Sequence, residues 1–308
     1  MVRDLVWVKT ISSQVLRDFA DSRRRVVSDW RILITARRLA RAQNAPLPNE
    51  DKAVALRWQL EQQGSLASLE GVPGVFEVDV PYANLLETSE EQIIQEANPW
   101  AVFGYLTAMV HHGLTDLAPK QIYVITFQDG EHQKRVPLGT SPEDWGDLDY
   151  PAARRPKKVR RVVVNWTELA GKFDFGVTIG YSFGTPIYVT DAERTLIDAL
   201  RKPDKSGGVA KVFRAWRKAE SMNVDRLVGY VDRYGVQNLR QRVGYLLERL
   251  GQNHPRLEQW KDRLQRGGSV KLVPSKPYEA TFSAEWNLSL NVAPSVLAIL
   301  DGAINEEE

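Results

Sequence analysis

The stretch Ser65-Leu66-Ala67-Ser68-Leu69-Glu70-Gly71-Val72-Pro73-Gly74-Val75-Phe76-Glu77-Val78-Asp79-Val80 reads as strand, tight turn, strand. Gly71, Pro73 and Gly74 mark the turn, and Val78 and Val80 alternate with Glu77 and Asp79 at the two-residue period of a half-buried strand. Immediately upstream, Asn49 is a helix N-cap with Glu50 and Asp51 in the first turn, where negative charge is favoured. That helix runs to about Gln63, and Gly64 fits its C-terminal cap. Before it, Asn44-Ala45-Pro46-Leu47-Pro48 breaks an earlier helix over Ser28–Gln43, whose Ile32, Leu33, Ala36, Leu39 and Ala40 recur at helical spacing. Residues 1–27 precede this first clear helix. Helices followed by a hairpin are the order of a winged helix, a fold that lays one helix in the DNA major groove while its neighbours hold phosphates. The same order also suits a helical cap with a hairpin and no DNA role. A winged-helix-like domain is expected over 1–85.

Charge separates those two readings. The net charge of the 308 residues is only +2, but the cations are unevenly placed. Residues 1–43 carry Arg3, Lys9, Arg17, Arg23, Arg24, Arg25, Arg31, Arg37, Arg38 and Arg41 against Asp4, Asp18, Asp21 and Asp29. From Glu50 to Glu96 the only cations are Lys52 and Arg57. A basic block then returns as Arg154-Arg155-Pro156-Lys157-Lys158-Val159-Arg160-Arg161. Such asymmetry marks nucleic-acid binding better than the total does. Arg31, Arg37, Arg38 and Arg41 on one helix are candidates for phosphate contacts. Lys52 and Arg57, on the next helix, are candidates for entering the groove. Arg154, Arg155, Lys157, Lys158, Arg160 and Arg161 form a second candidate phosphate patch, whose attraction would depend on salt. The partner expected is double-stranded DNA.

From about Tyr82 the pattern becomes mixed, with the domain boundary expected near Val80–Thr88 and a second domain over 86–308. Helices are expected at Ser89–Ala97 and Pro99–His112, and strands at Gln121–Phe127, Val159–Asn165, Phe175–Ile179 and Pro186–Thr190. The chain then turns helical at Ala192–Leu200, Gly208–Ala219, Val224–Tyr234 and Val236–Leu250. Short strands near Ser269–Val273 and Ala284–Ser289, a helix near Ala293–Asp301 and a frayed acidic tail at 305–308 close it. The fold class is α+β: a winged-helix-like head, then a mixed α/β domain with a helical C-terminal part. Residues 1–7 hold no long apolar run, and no window reaches 18 apolar residues, so neither a signal peptide nor a membrane span is expected.

Chemical motifs are sparse. The sequence has no Cys, which excludes disulfides and thiolate metal sites. It holds no P-loop and no HExxH. The four His residues are His111, His112, His132 and His254. His111-His112-Gly113 falls where a helix ends, a place for capping rather than metal binding. Asp147 and Asp149 could hold a magnesium ion as in a nucleotidyltransferase or nuclease, but their surroundings read as a loop. Arg194 and Asp198 are four apart on one helix and can face each other, with Asp191 as its N-cap. No catalytic residue, cofactor or metal is expected, and the protein is read as not an enzyme.

Four pieces in order resemble the AbiEi family of type IV antitoxins. They are Tyr105-Leu106-Thr107-Ala108-Met109-Val110-His111-His112-Gly113-Leu114-Thr115-Asp116; Ile187-Tyr188-Val189-Thr190-Asp191-Ala192-Glu193-Arg194-Thr195-Leu196-Ile197-Asp198-Ala199-Leu200, with Pro203 and Gly207-Gly208 after it; Arg242-Val243-Gly244-Tyr245-Leu246-Leu247-Glu248-Arg249-Leu250-Gly251; and Trp286-Asn287-Leu288-Ser289-Leu290-Asn291. The resemblance implies a winged-helix head on a mixed α/β antitoxin domain, a cytoplasmic phage-defence setting and repression of the protein's own promoter. It also implies counteraction of a cognate nucleotidyltransferase toxin, without requiring direct contact with it. The family has no catalytic residues to carry over. Against it stand a protein-binding scaffold without DNA, and an enzyme using Asp147 and Asp149.

Overall fold

The Ser28 hydroxyl accepts from the Arg31 backbone N–H and starts a helix, as the sequence led one to expect. The computed structural model describes residues 2–80, 87–219, 221–264 and 268–302. The head runs α1 (Val2–Asp21), β1 (Val26–Ser28), α2 (Asp29–Ala42), α3 (Glu50–Gln62), β2 (Leu66–Ser68) and β3 (Val75–Val78). Asn49 caps α3 by accepting from the Lys52 N–H. The hairpin expected at 66–80 is present. β2 pairs with β3 antiparallel, Leu66 opposite Val78, and β1 pairs with the other side of β3, Val26 opposite Glu77. The core of the head holds Val8, Ile11, Val15 and Phe19 of α1, Ile32 and Ala36 of α2, Leu56 and Leu60 of α3, and Phe76, Val78 and Val80.

The first helix was not expected. Residues 1–27 were read as lacking a clear helix, yet Val8, Ile11, Val15, Leu16 and Phe19 recur at three- and four-residue steps and are buried. A single face of this kind needs no cap signal when tertiary packing covers it.

Then follow α4 (Glu90–Ala97), β4 (Val102–Phe103), α5 (Tyr105–His111), β5 (Gln121–Gln128), α6 (Pro142–Trp145), β6 (Lys158–Val159), β7 (Val162–Ala170), β8 (Val177–Ser182) and β9 (Thr185–Thr190). Ser89 and Gln92 close a capping box on α4. The helix expected from Pro99 starts only at Tyr105, because Val102 and Phe103 are buried in a strand. The order in the six-stranded sheet is β6-β7-β5-β4-β9-β8. The C-terminal elements are α7 (Ala192–Arg201), α8 (Val209–Lys218), α9 (Val224–Tyr234), α10 (Gln237–Arg249), α11 (Pro255–Lys261), β10 (Val270–Lys271), β11 (Phe282–Ser283), β12 (Leu288–Ser289) and α12 (Pro294–Ala298). The last three strands form a small sheet with β12 central. The tail at 305–308 and residues 81–86 of the expected boundary lie outside the described residues.

Two compact units divide the chain. One comprises Met1–Val102, Thr126–Glu168 and Ile179–Tyr188; the other comprises Phe103–Ile125, Leu169–Thr178 and Val189–Glu308. The head therefore shares its unit with segments beyond residue 85. The second unit has its own core, built on Leu196, Ile197, Phe213, Trp216, Leu246 and Trp286. Inside it Arg194 is wholly buried. Its Nε donates to Asp198 at 2.7 Å, its Nη1 donates to the carbonyls of Phe173 and Phe175 at 2.9 Å each, and Asp198 also accepts from the Tyr234 hydroxyl at 2.6 Å. The i, i+4 pair expected from the sequence forms, and it is a core ion pair. Among the described residues no helix is long and apolar enough to cross a membrane.

Candidate nucleic-acid interface

The cations of α2 turn inward. Arg31 is buried and donates from Nε to Glu96 at 2.6 Å and from Nη2 to the Leu138 carbonyl at 3.1 Å. Glu96 also accepts from the Ser28 hydroxyl and from Arg24. Burial, and then the neighbouring Arg24, pull the Arg31 guanidinium down to about 9 against the pull of Glu96, which leaves it charged at neutral pH. Arg37 is buried too and donates to Asp147 at 3.1 Å. Arg38 forks onto Asp144, Nε to one oxygen at 3.2 Å and Nη2 to the other at 2.8 Å, and also reaches the Gly139 carbonyl. Burial pulls the Asp144 carboxyl up, but Arg38 and the Ser141 N–H outweigh it and hold it below the usual range.

Arg31 and Arg37, expected on phosphates, are therefore off the surface, and the fork of Arg38 is occupied. A guanidinium fork suits a carboxylate as well as a phosphate. In this chain the carboxylates of Glu96, Asp144 and Asp147 take it. Of the four α2 arginines only Arg41 stays exposed. Asp147, the first of the two carboxylates considered for magnesium, is the exposed partner of Arg37, while Asp149, two residues on, is exposed as well.

A second set of cations lies elsewhere on the same unit. α3 buries Ala53, Leu56 and Leu60 and turns Asp51, Val54, Ala55, Trp58 and Gln62 outward. Val54 is 54% and Trp58 58% exposed. Lys52 and Arg57 do not sit on this outward row but on its two flanks. The Lys52 ammonium lies 5.4 Å from the Trp7 ring on the α1 side. Arg57 lies 5.6 Å from the Phe76 ring on the β3 side and 3.7 Å from Asp29. Lys52 and Arg57, expected to enter the groove, are half-buried and flank the exposed row rather than lie on it.

The basic block comes to the same edge. Arg154 donates to the Pro73 carbonyl in the hairpin turn at 2.7 Å and lies 3.7 Å from Asp29, the carboxylate that Arg57 also approaches. Gly74, at φ 72°, is what permits this, since a Cβ there would overlap both the Arg154 guanidinium and the Asp29 carboxylate. Arg160 bonds Glu77 of β3 and the Thr88 carbonyl, and Arg155 pairs with Glu168. Lys157, Lys158 and Arg161 are exposed and form no ion pair among the described residues. A groove of about 640 Å³ runs beside α3, lined by Trp30, Leu33, Val54, Arg57, Tyr150 and Arg154 among others. So Arg57 and Arg154 meet at Asp29, beside the hairpin. Trp58 and Val54 were missed by the sequence reading, although a helical wheel of 50–62 places them opposite Leu56 and Leu60.

Residues 101–249 match the model of the AbiEi antitoxin C-terminal domain. The chain carries an AbiEi antitoxin domain. This AbiEi domain holds β4 to β9 and α5 to α10, and three of the four quoted pieces begin within it. The fourth, at Trp286–Asn291, lies beyond its end. The head precedes the matched region. The crystal structure of the RV2827C protein from Mycobacterium tuberculosis is similar over 91% of this chain and 90% of that one, with a TM-score of 0.50 and 16% identity. That likeness is one of fold, and it reaches beyond the matched region. No curated protein matches the chain.

Proposed function

We propose that this antitoxin represses its own operon through a winged-helix head over residues 1–85 and counteracts a cognate nucleotidyltransferase toxin in the cytoplasm. It acts by binding, without a catalytic residue or cofactor. The observation that carries the reading is the convergence of Arg57 and Arg154 at Asp29, beside the hairpin and next to α3. The order α1, β1, α2, α3, β2, β3 supports it, because this order offers α3 to a major groove. The cations bordering α3, with Lys157, Lys158 and Arg161, supply phosphate contacts.

The test is titration of the protein's own upstream DNA and of scrambled DNA at several salt concentrations. Arg57→Ala, Arg154→Ala and Lys157→Ala are expected to weaken binding to both duplexes and to lower the salt slope by about one unit each. Arg38→Ala is expected to leave the slope unchanged. Equal behaviour of all three variants and wild type, or no preference for the upstream DNA, would refute the head as a DNA reader. Co-expression with an adjacent nucleotidyltransferase tests the toxin arm: growth must be restored by the full chain.

A further inference from the structure

The outward row of α3 is chemically unusual for a face beside cations. Asp51, Val54, Ala55, Trp58 and Gln62 include no Arg or Lys. Guanine offers two acceptors in the major groove and is read by a bidentate Arg or Lys, which this row lacks. The single apolar feature of that groove is the thymine methyl, which apolar side chains contact. Val54 and Trp58 are one turn apart and more than half exposed, so they form one apolar ridge along the helix. Asp51 can only accept, which suits the exocyclic amino group of adenine or cytosine alike and is repelled by the acceptors of guanine, so it does not by itself choose between the two base pairs. Gln62 can bond both major-groove groups of adenine.

Lys52 and Arg57 lie on opposite sides of this ridge, with Arg154 outside Arg57. An apolar strip one helix wide between two cationic borders is complementary to a groove with a phosphate wall on either side. We infer that α3 reads an A·T-rich half-site through thymine methyls on Val54, Ala55 and Trp58, with Lys52 and Arg57 on the flanking phosphates. This rests on the proposed DNA-binding function and names the sequence class it selects.

The experiment uses the full chain and a library of randomised duplexes. The best site selected is remade with deoxyuridine for thymidine, which removes the methyls and keeps base pairing and charge. An A·T-rich core is expected, with Kd rising about four-fold for each contacted methyl removed. Trp58→Ala is expected to weaken the thymidine site by about 10–100-fold and to narrow the difference between the two duplexes, with the salt slope unchanged. Both side chains are exposed, so Val54→Ala and Trp58→Ala must keep the thermal midpoint of wild type. Binding indifferent to deoxyuridine, a G·C-rich selected site, or Val54→Ala and Trp58→Ala both equal to wild type overturns this inference. Each of these results leaves the DNA function standing, and only the last takes the ridge away from DNA. No enrichment of any duplex at low salt overturns both.

Discussion

Replacing His132 with leucine should make the protein markedly less sensitive to mild acid. His132 is fully buried, with the Tyr188 ring 4.4 Å and the Phe127 ring 6.1 Å away, both edge-on. Burial, and then Arg135, push its pKa down from 6.5 to about 3, against a smaller pull from the Trp100 backbone. The sign follows from proton uptake. Below pH 6.5 the unfolded chain takes a proton at this site, and the folded chain does not until about pH 3. The folded state therefore loses stability as pH falls through that window, and above pH 6.5 there is no loss. At 1.36 kcal/mol per unit, the loss reaches about 2 kcal/mol at pH 5 and about 5 kcal/mol below pH 3. The leucine variant keeps the volume and removes the titration, so at pH 7.5 it should lie within about 1.5 kcal/mol of wild type. Urea unfolding followed by tryptophan fluorescence at pH 7.5, 6 and 5 measures both proteins. The variant should gain on wild type by about 2 kcal/mol between pH 7.5 and 5. Parallel losses in the two proteins would show that His132 is not held neutral, and the reasoning would fail.

Two further changes test the second unit. Arg194→Met takes away the buried cation of Asp198, which keeps only Arg201 and the Tyr234 hydroxyl, and leaves the Phe173 and Phe175 carbonyls without their donor, so it should cost about 3 kcal/mol in denaturant unfolding; adding Asp198→Leu should recover part of that. Gly244→Ala in α10 would drive a methyl into the Trp286 ring, which is buried and bonded to Glu248, and should cost about 1–3 kcal/mol with a changed near-ultraviolet circular dichroism spectrum.

Much of the fold was legible where local chemistry sets an end. Ser28 and Asn49 cap their helices as their side chains dictate, and Asp191 caps α7. Val224–Tyr234 was readable to the residue, because Asn223 starts that helix and Gly235 stops it in the left-handed region. α1 and β4 were not legible. The first has an apolar face but no Ser, Thr, Asp or Asn just before Val2 to mark its start, and the second is two residues long, too short for a period to show. The candidate site divided in the same way. A charge run tells that cations are close in sequence, but not which distant carboxylate each will meet. Glu96 lies 65 residues from Arg31, and Asp147 lies 110 from Arg37. The exposed ridge of Val54 and Trp58, by contrast, needed only the wheel of one helix.

The placement of the cores along the chain has a consequence for the order of synthesis. Every residue of the head's core lies at or before Val80. The six-stranded sheet cannot close until β9 has been made, because β9 sits between β4 and β8 and ends at Thr190. At ordinary translation rates that interval lasts roughly 5–20 s, far longer than a small helical unit needs to collapse. The growing chain thus has the whole apolar core of the head in hand while the carboxylates that hold Arg37 and Arg38, and the rest of the sheet, are still to be made.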